Sequence, residues 1–264
     1  RVLSSCLLLG TLACESAWSQ VDVLTHRYDN ARTGANLAET QLNTSNVNSG
    51  QFGKLFSYGV DADIYTQPLV VRGVNIVGKG THNVVYVATN NNSVYAFDAD
   101  NNQGPNGVPL WQVNFNGPGV TPVPASDVNT LDSIRTPGPI GIMGTPVINQ
   151  ATGTMYLVAR TKETTGSTTS YVQRLHALDM TSGAEKFGGP VIINASVPGT
   201  GYDNVAGLVT FNPRTQNQRA GLALANGNVY IAWASYADTN PYHGWIMAYN
   251  ATTLQRTGAF CVTP

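Results

Sequence analysis

The densest group of side chains able to do chemistry lies near the start of the chain, in "HRYDNARTGANLAETQLNTSNV", His26 to Val47. Nine positions hold His26, Arg27, Asp29, Asn30, Arg32 and a Thr33–Gly34 step. Guanidinium and imidazole groups are donors for carboxylates and phosphates, yet Asp and Asn beside Gly equally cap turns and satisfy backbone groups. A second group is "NPYHGW", where Tyr242 and Trp245 flank His243. Aromatic rings around an imidazole suit stacking and hydrogen bonding to a ligand; the structural alternative is a Pro-nucleated turn whose rings cover a sheet edge. Tyr65 before "QPLVV", Arg135 within "DSIRTPGPIGIMG" and Asp203 complete the candidate binding residues. No nucleophile elbow, zinc-protease helix, P-loop or EF-hand spacing occurs, so no catalytic or metal-ligating residue is assigned.

The elements that must position these residues repeat. "NVVYVATNNNSVYAFDAD" holds two alternating runs, Val84 to Thr89 and Ser93 to Asp98, about an Asn-rich turn. "QPLVV" precedes them and "LWQVNF" follows, making four successive strands, a to d. The same four slots are filled by "TPVIN", "TMYLVAR", "YVQRLHALD" and "EKFGGPVII", and again by "RAGLAL", "NVYIAWA", "GWIMAYNA" and "RTGAFCV". The third strands close on Asp98, Asp179 and Asn250, spaced 81 and 71 residues apart; these side chains are expected to accept backbone N–H bonds of the following turn. A repeated four-stranded antiparallel sheet with long connections is the pattern of a β-propeller. The expected fold is therefore all-β, with about three blades. "FGKLFSY" (Phe52 to Tyr58) resembles a fourth strand that lacks its a–c partners, an orphan closing strand. The ring is then incomplete, and the sequence reads as a fragment of a longer exported protein.

In such a meander the d→a connections and b→c turns lie on one face. The long insertions fall there: 116–144, 194–217, 161–170 and 235–243. That face is expected to carry Tyr65, Arg135, Asp203, Tyr242, His243 and Trp245, since loops on a rigid scaffold are where binding resides. "KETTGSTTS" reads as a solvated loop tip, and His176 as packed within its strand.

Composition narrows the classes. The 264 residues are 42% hydrophobic and 11% charged with a net charge of -1, enough apolar material for a core and too little charge to draw nucleic acid or an anionic membrane. The apolar run Cys6 to Ala13 is too short to span a bilayer, and Ala17 and Ser19 occupy the -3 and -1 positions of a signal-peptidase site. Residues 1–19 are predicted to be a signal peptide, giving a periplasmic or extracellular chain without a transmembrane segment once it is removed. A lipoprotein reading through Cys14 is weaker, because Thr11 stands where Leu is usual. Cys261 would then be the lone cysteine, either buried as an apolar residue or paired beyond the sequence. Residues 20–50 read as a lead-in and 51–264 as the partial propeller.

"PLVV…VVYVATNNNSVYAFDAD…PLW" resembles the quinoprotein-type propeller repeat, found in dehydrogenases that use pyrroloquinoline quinone (PQQ) with Ca²⁺ and in non-enzymatic relatives. "RYDNARTGANLAETQLNTSNVNSGQFGKLFSY" is similar to that family's start. The resemblance covers most of residues 24–262 and implies the fold more than an activity. Where the related alcohol dehydrogenases carry a Glu three positions before the Pro, this chain has Tyr65; there is also no adjacent cysteine pair and no haem-attachment motif. The reading that follows is an exported binding or scaffold module with ligand- or partner-contacting loops on one face. The alternatives are a PQQ-dependent dehydrogenase whose cofactor residues lie partly outside this sequence, and a cell-envelope assembly scaffold gripping extended peptides along a strand edge. On this reading the His26–Val47 stretch is a structural lead-in that helps close the propeller.

Overall fold

Alternating apolar residues separated by Gly and Asn turns dictate strands here, and strands are what form. The computed structural model describes residues 21–128 and 138–264; the leader reading (1–19) and Arg135 lie outside them. The first sheet is an antiparallel meander of β1 (Leu69–Ile76), β2 (Gly80–Ala88), β3 (Ser93–Asp98) and β4 (Trp111–Asn114). Its β2–β3 turn places Asn92 at φ 58°, a left-handed conformation that Asn tolerates. The connection onward carries β5 (Val120–Pro124) and β6 (Pro139–Ile140). The second sheet contains β7 (Val147–Asn149), β8 (Thr154–Thr165), β9 (Thr168–Asp179) and β10 (Val191–Ile192), with β5 adding to the far half of β8. After a hairpin of β11 (Ser196–Pro198) and β12 (Leu208–Thr210) comes β13 (Gln216–Asn217). The third sheet is β14 (Ala223–Ala225), β15 (Asn228–Ser235), β16 (Trp245–Asn250) and β17 (Arg256–Cys261), with β13 on the edge of β15. The protein is all-β with antiparallel sheets, none of them closed.

The three strand-closing residues act alike. Asp98 Oδ1 accepts the N–H groups of Asp100 and Asn101, Asp179 Oδ1 that of Thr181, and Asn250 Oδ1 those of Thr252 and Thr253, all within 2.8–3.0 Å. Each side chain replaces a missing ladder partner at the point where the strand stops.

The period of two along β8 feeds two cores. Met155, Leu157 and Ala159 join Tyr86, Trp111 and Leu178 between the first and second sheets. Tyr156 and Val158 join Leu175, Val229, Met247 and Trp245 between the second and third. One hydrogen bond recurs across both interfaces. Tyr86 donates its hydroxyl to the Met180 carbonyl at 2.9 Å, and Tyr156 donates to the Ala251 carbonyl at 2.7 Å. Each acceptor directly follows a closing residue, Asp179 or Asn250. Tyr230 occupies the same register in β15, paired across from Ala248 as Tyr86 is from Ala96. Its hydroxyl makes no hydrogen bond among the described residues, and its sheet face is apolar and open, with Ile246 44% and Phe260 59% exposed.

Two expectations change. Residues 52–58 form no strand: Phe52 and Leu55 are exposed, Tyr58 stacks on Phe97 at 4.3 Å with its hydroxyl 2.7 Å from the Asn101 carbonyl, and the Ser57 carbonyl accepts from Asn102 Nδ2 at 3.3 Å. The segment docks through an aromatic anchor rather than through strand pairing, although β4 and β17 each pair on one side only. The loop tip expected at 162–170 is solvated, with residues 164–170 exposed, but it is the end of the β8–β9 hairpin rather than a loop, turning at Gly166 with φ 59°. Its β-branched threonines favour the extended chain, and β5 pairs with its edge.

Tyr156→Phe should lower unfolding free energy by about 1–3 kcal/mol, because it orphans the buried Ala251 carbonyl, whereas Tyr86→Phe should cost only about 0.5–1.5 kcal/mol, because the Met180 carbonyl keeps the Trp111 indole N–H. Tyr230→Phe should change it by less than about 0.5 kcal/mol; urea melts of the three variants check this.

Candidate functional site

The starts of the three sheets lie side by side, and the lead-in threads between them. Val23 exchanges both backbone bonds with Val70 of β1, at 2.7 and 3.1 Å. Ile148 of β7 donates to the Leu24 carbonyl at 2.8 Å, and Thr25 Oγ1 donates to the Leu222 carbonyl beside β14 at 3.2 Å. Gly221 permits this approach, since a Cβ there would meet His26 Cβ at 2.7 Å. Arg32 locks the crossing. Its Nη1 donates to Thr25 Oγ1 and the His26 carbonyl, both at 2.7 Å, and its Nη2 to the carbonyls of Leu222 at 3.0 Å and Gly221 at 3.3 Å. Asp29 caps its own turn through Thr33, whose hydroxyl donates at 2.6 Å; that bond holds the Asp29 carboxyl below its ordinary range.

Beside this crossing is a cleft of about 500 Å³, lined by His26, Arg27, Arg32, Tyr65, Thr145, Arg219, Ala220 and Gly221. Its charge is one-sided. Arg32 donates only to neutral oxygens, Arg219 sits over the Tyr65 ring at 5.8 Å, and no carboxylate lines the walls. Burial lowers the His26 pKa first, and Arg32 and Arg27 lower it further, so the imidazole is kept neutral. His26 Nδ1 is buried without a partner among the described residues. Three guanidiniums and an uncompensated imidazole around one cavity form a seat for negative charge.

Tyr65 lines this cleft. Asp203 and His243 meet elsewhere on the loop side, with Asp203 Oδ1 at 2.7 Å from His243 Nε2. The other imidazole nitrogen faces Thr263 Oγ1 at 3.1 Å and Cys261 Sγ at 3.7 Å. Cys261 is buried and its thiol pKa raised by that burial, which suits a packed residue better than a nucleophile. Tyr242 stays exposed at the rim of a neighbouring depression of about 220 Å³. Trp245 leaves the candidate set: it opens β16 pointing inward and is fully buried, edge-on to Phe211 at 5.9 Å. Arg27, read from the sequence as part of a structural lead-in, and Arg219, not singled out there, both line the cleft. Their signal in the sequence is position: Arg219 precedes the third a strand as Tyr65 precedes the first, so residues at successive a-strand starts converge.

A calcium-bound quinone requires carboxylate oxygens at the metal. The cleft supplies donors for carboxylates but no carboxylate of its own. Asp61, four residues before Tyr65, is engaged by Thr89, Asn91 and Ser93 at 2.5–2.8 Å, bonds that hold its pKa down against burial. Among the described residues no group of three or more His, Cys, Asp or Glu side chains could hold a metal ion. The lining does not fit a calcium-bound quinone.

Fold and cleft together define an all-β protein of consecutive antiparallel sheets with a cationic cleft where the first strands of three of them begin. Compared with known proteins, the chain matches no family model and no curated sequence.

Arg32→Ala should lower unfolding free energy by about 2 kcal/mol, with Arg32→Lys recovering only part, because one ammonium cannot reach acceptors on two segments; denaturant melts check both. The lowered His26 pKa makes its contribution to stability complete above the unfolded value of about 6.5, lost as pH falls through the lower folded value. Melting of wild type against His26→Gln across pH 7 to 4 should show that loss in wild type alone.

Proposed function

We propose that the protein is an exported binding module of quinoprotein-like propeller type that takes a small anionic ligand, a carboxylate or phosphate, in the cleft at the starts of its sheets. The observation that carries this reading is the cleft's unbalanced charge: Arg27, Arg32 and Arg219 with no lining carboxylate. The arrangement as consecutive blades is supported by the tyrosine–carbonyl bond repeated at two successive interfaces. A dehydrogenase reading is less well supported. The carboxylates of a quinone would find the guanidiniums, but a Ca²⁺ ion would find no carboxylate there.

Arg32 serves the fold, whereas Arg27 and Arg219 are exposed and project no hydrogen bond from their side chains among the described residues. They are the groups free to grip a ligand. Isothermal titration with oxalate, citrate and phosphate at low salt should show one-site binding that weakens as salt rises. Arg219→Ala and Arg27→Ala should each reduce affinity about tenfold, equivalent to about 1.4 kcal/mol, with unchanged melting. Binding that ignores both substitutions, or a preference for a neutral diol over all three anions, would overturn the reading.

A further inference from the structure

A second cleft, independent of the cationic one, lies between the first and second sheets. Beyond the end of β4, Phe115 and Val120 face β8 and β9 across a cavity of about 310 Å³, at the low end of the sizes that hold small molecules. Its polar wall is built of paired groups. Arg174 grips Glu163 through both terminal nitrogens, the Nη2–Oε2 bond being 3.2 Å, and Thr161 Oγ1 donates to the same carboxylate at 2.7 Å. Glu185 Oε1 lies 2.5 Å from His176 Nδ1, and its other oxygen accepts the Ala177 N–H at 3.3 Å. The imidazole is only 4% exposed and lies under the Phe115 ring, with centroids 3.9 Å apart at 28°. Its Nε2 makes no hydrogen bond among the described residues.

We infer that this cleft binds a neutral, hydroxyl-rich ring, a mono- or disaccharide. The exclusions follow from the wall. An anion would face two carboxylates with the single guanidinium already paired. A cation would have to compete for carboxylates already engaged by Arg174, Thr161, His176 and the Ala177 amide. A wholly apolar ligand would strip water from His176 Nε2 and from the carboxylate lone pairs without replacing it. Hydroxyl groups both donate and accept, so they complete fixed donors and acceptors without adding charge, and the apolar face of a sugar ring matches Phe115, Val120 and Pro190. Because Glu185 anchors Nδ1, the free Nε2 is aimed by the protein rather than by the ligand.

The test is protein-observed NMR of the whole chain, following the His176 ring and the Ala177 amide. The probes are glucose, galactose and cellobiose, with gluconate and glucosamine as charged counterparts, each at about 10 mM, where even a 1 mM Kd saturates. At least one neutral sugar should shift these signals, and its charged counterparts should bind at least tenfold more weakly. Phe115→Leu, which keeps an apolar wall without a ring, and Glu163→Gln should each weaken that binding tenfold or more at unchanged melting. Arg219→Ala, in the other cleft, should leave it unchanged and so separates this site from the anion site. Absence of any shift with all three neutral sugars, tighter binding of gluconate or glucosamine, or binding indifferent to both wall substitutions would overturn the inference.

Discussion

The guanidinium of Arg32 is the contact on which the arrangement of the sheets turns. It joins the lead-in to the start of the third sheet through four neutral acceptors. The same crossing pairs Val23 with β1 and Leu24 with β7. A planar fork suits this task because its donors diverge in fixed directions, reaching acceptors on two segments at once. No carboxylate hydrogen-bonds this guanidinium among the described residues, and none lines the cleft beside it. A positive group placed for structural reasons leaves its field in the adjacent cleft, where Arg27 and Arg219 add to it. On the proposed reading, structure and recognition share one cleft but divide the labour: Arg32 holds the crossing, and its exposed neighbours Arg27 and Arg219 would contact the ligand.

The sheets meet through a repeated arrangement of a tyrosine hydroxyl, a carbonyl after a closing Asp or Asn, and an alternating apolar core. Such a pattern lets each interface reuse the chemistry of the one before. It also gives the buried tyrosines a reason to be tyrosine. Burial pushes the Tyr86 hydroxyl well above its usual pKa, so it remains a donor at any physiological pH. Trp111 adds its indole N–H to the same Met180 carbonyl at 2.9 Å, so one oxygen receives both large side chains of the first interface.

Much of this was legible from residues alone. Strand slots followed from period-two alternation and from turns rich in Asn and Gly, and the role of Asp98, Asp179 and Asn250 followed from their place before a turn. Strand ends were harder. Nothing local in "KETTGSTTS" announces that β5 will pair beside it, and nothing local in "FGKLFSY" says whether a ladder is at hand. Trp245 looked like a ligand contact because its neighbours are polar and aromatic; only the inward phase of β16 buries it. The cationic cleft was the least legible. His26 and Arg27 are separated from Arg219 by nearly the whole chain, and their convergence depends on a glycine, Gly221, that lets two backbones touch.

The division of β8 between two cores has an evolutionary consequence. Along this strand a substitution disturbs one interface, but insertion or deletion of a single residue exchanges the two sets, sending Tyr156 and Val158 where Met155 and Leu157 belong. Both flanking sheets would lose their partner together. A change in length is therefore tolerated only in the connections or at the far end of the β8–β9 hairpin, beyond the residues that feed the two cores. A protein built this way can acquire new binding surfaces by lengthening its loops while the strands beneath them stay in phase.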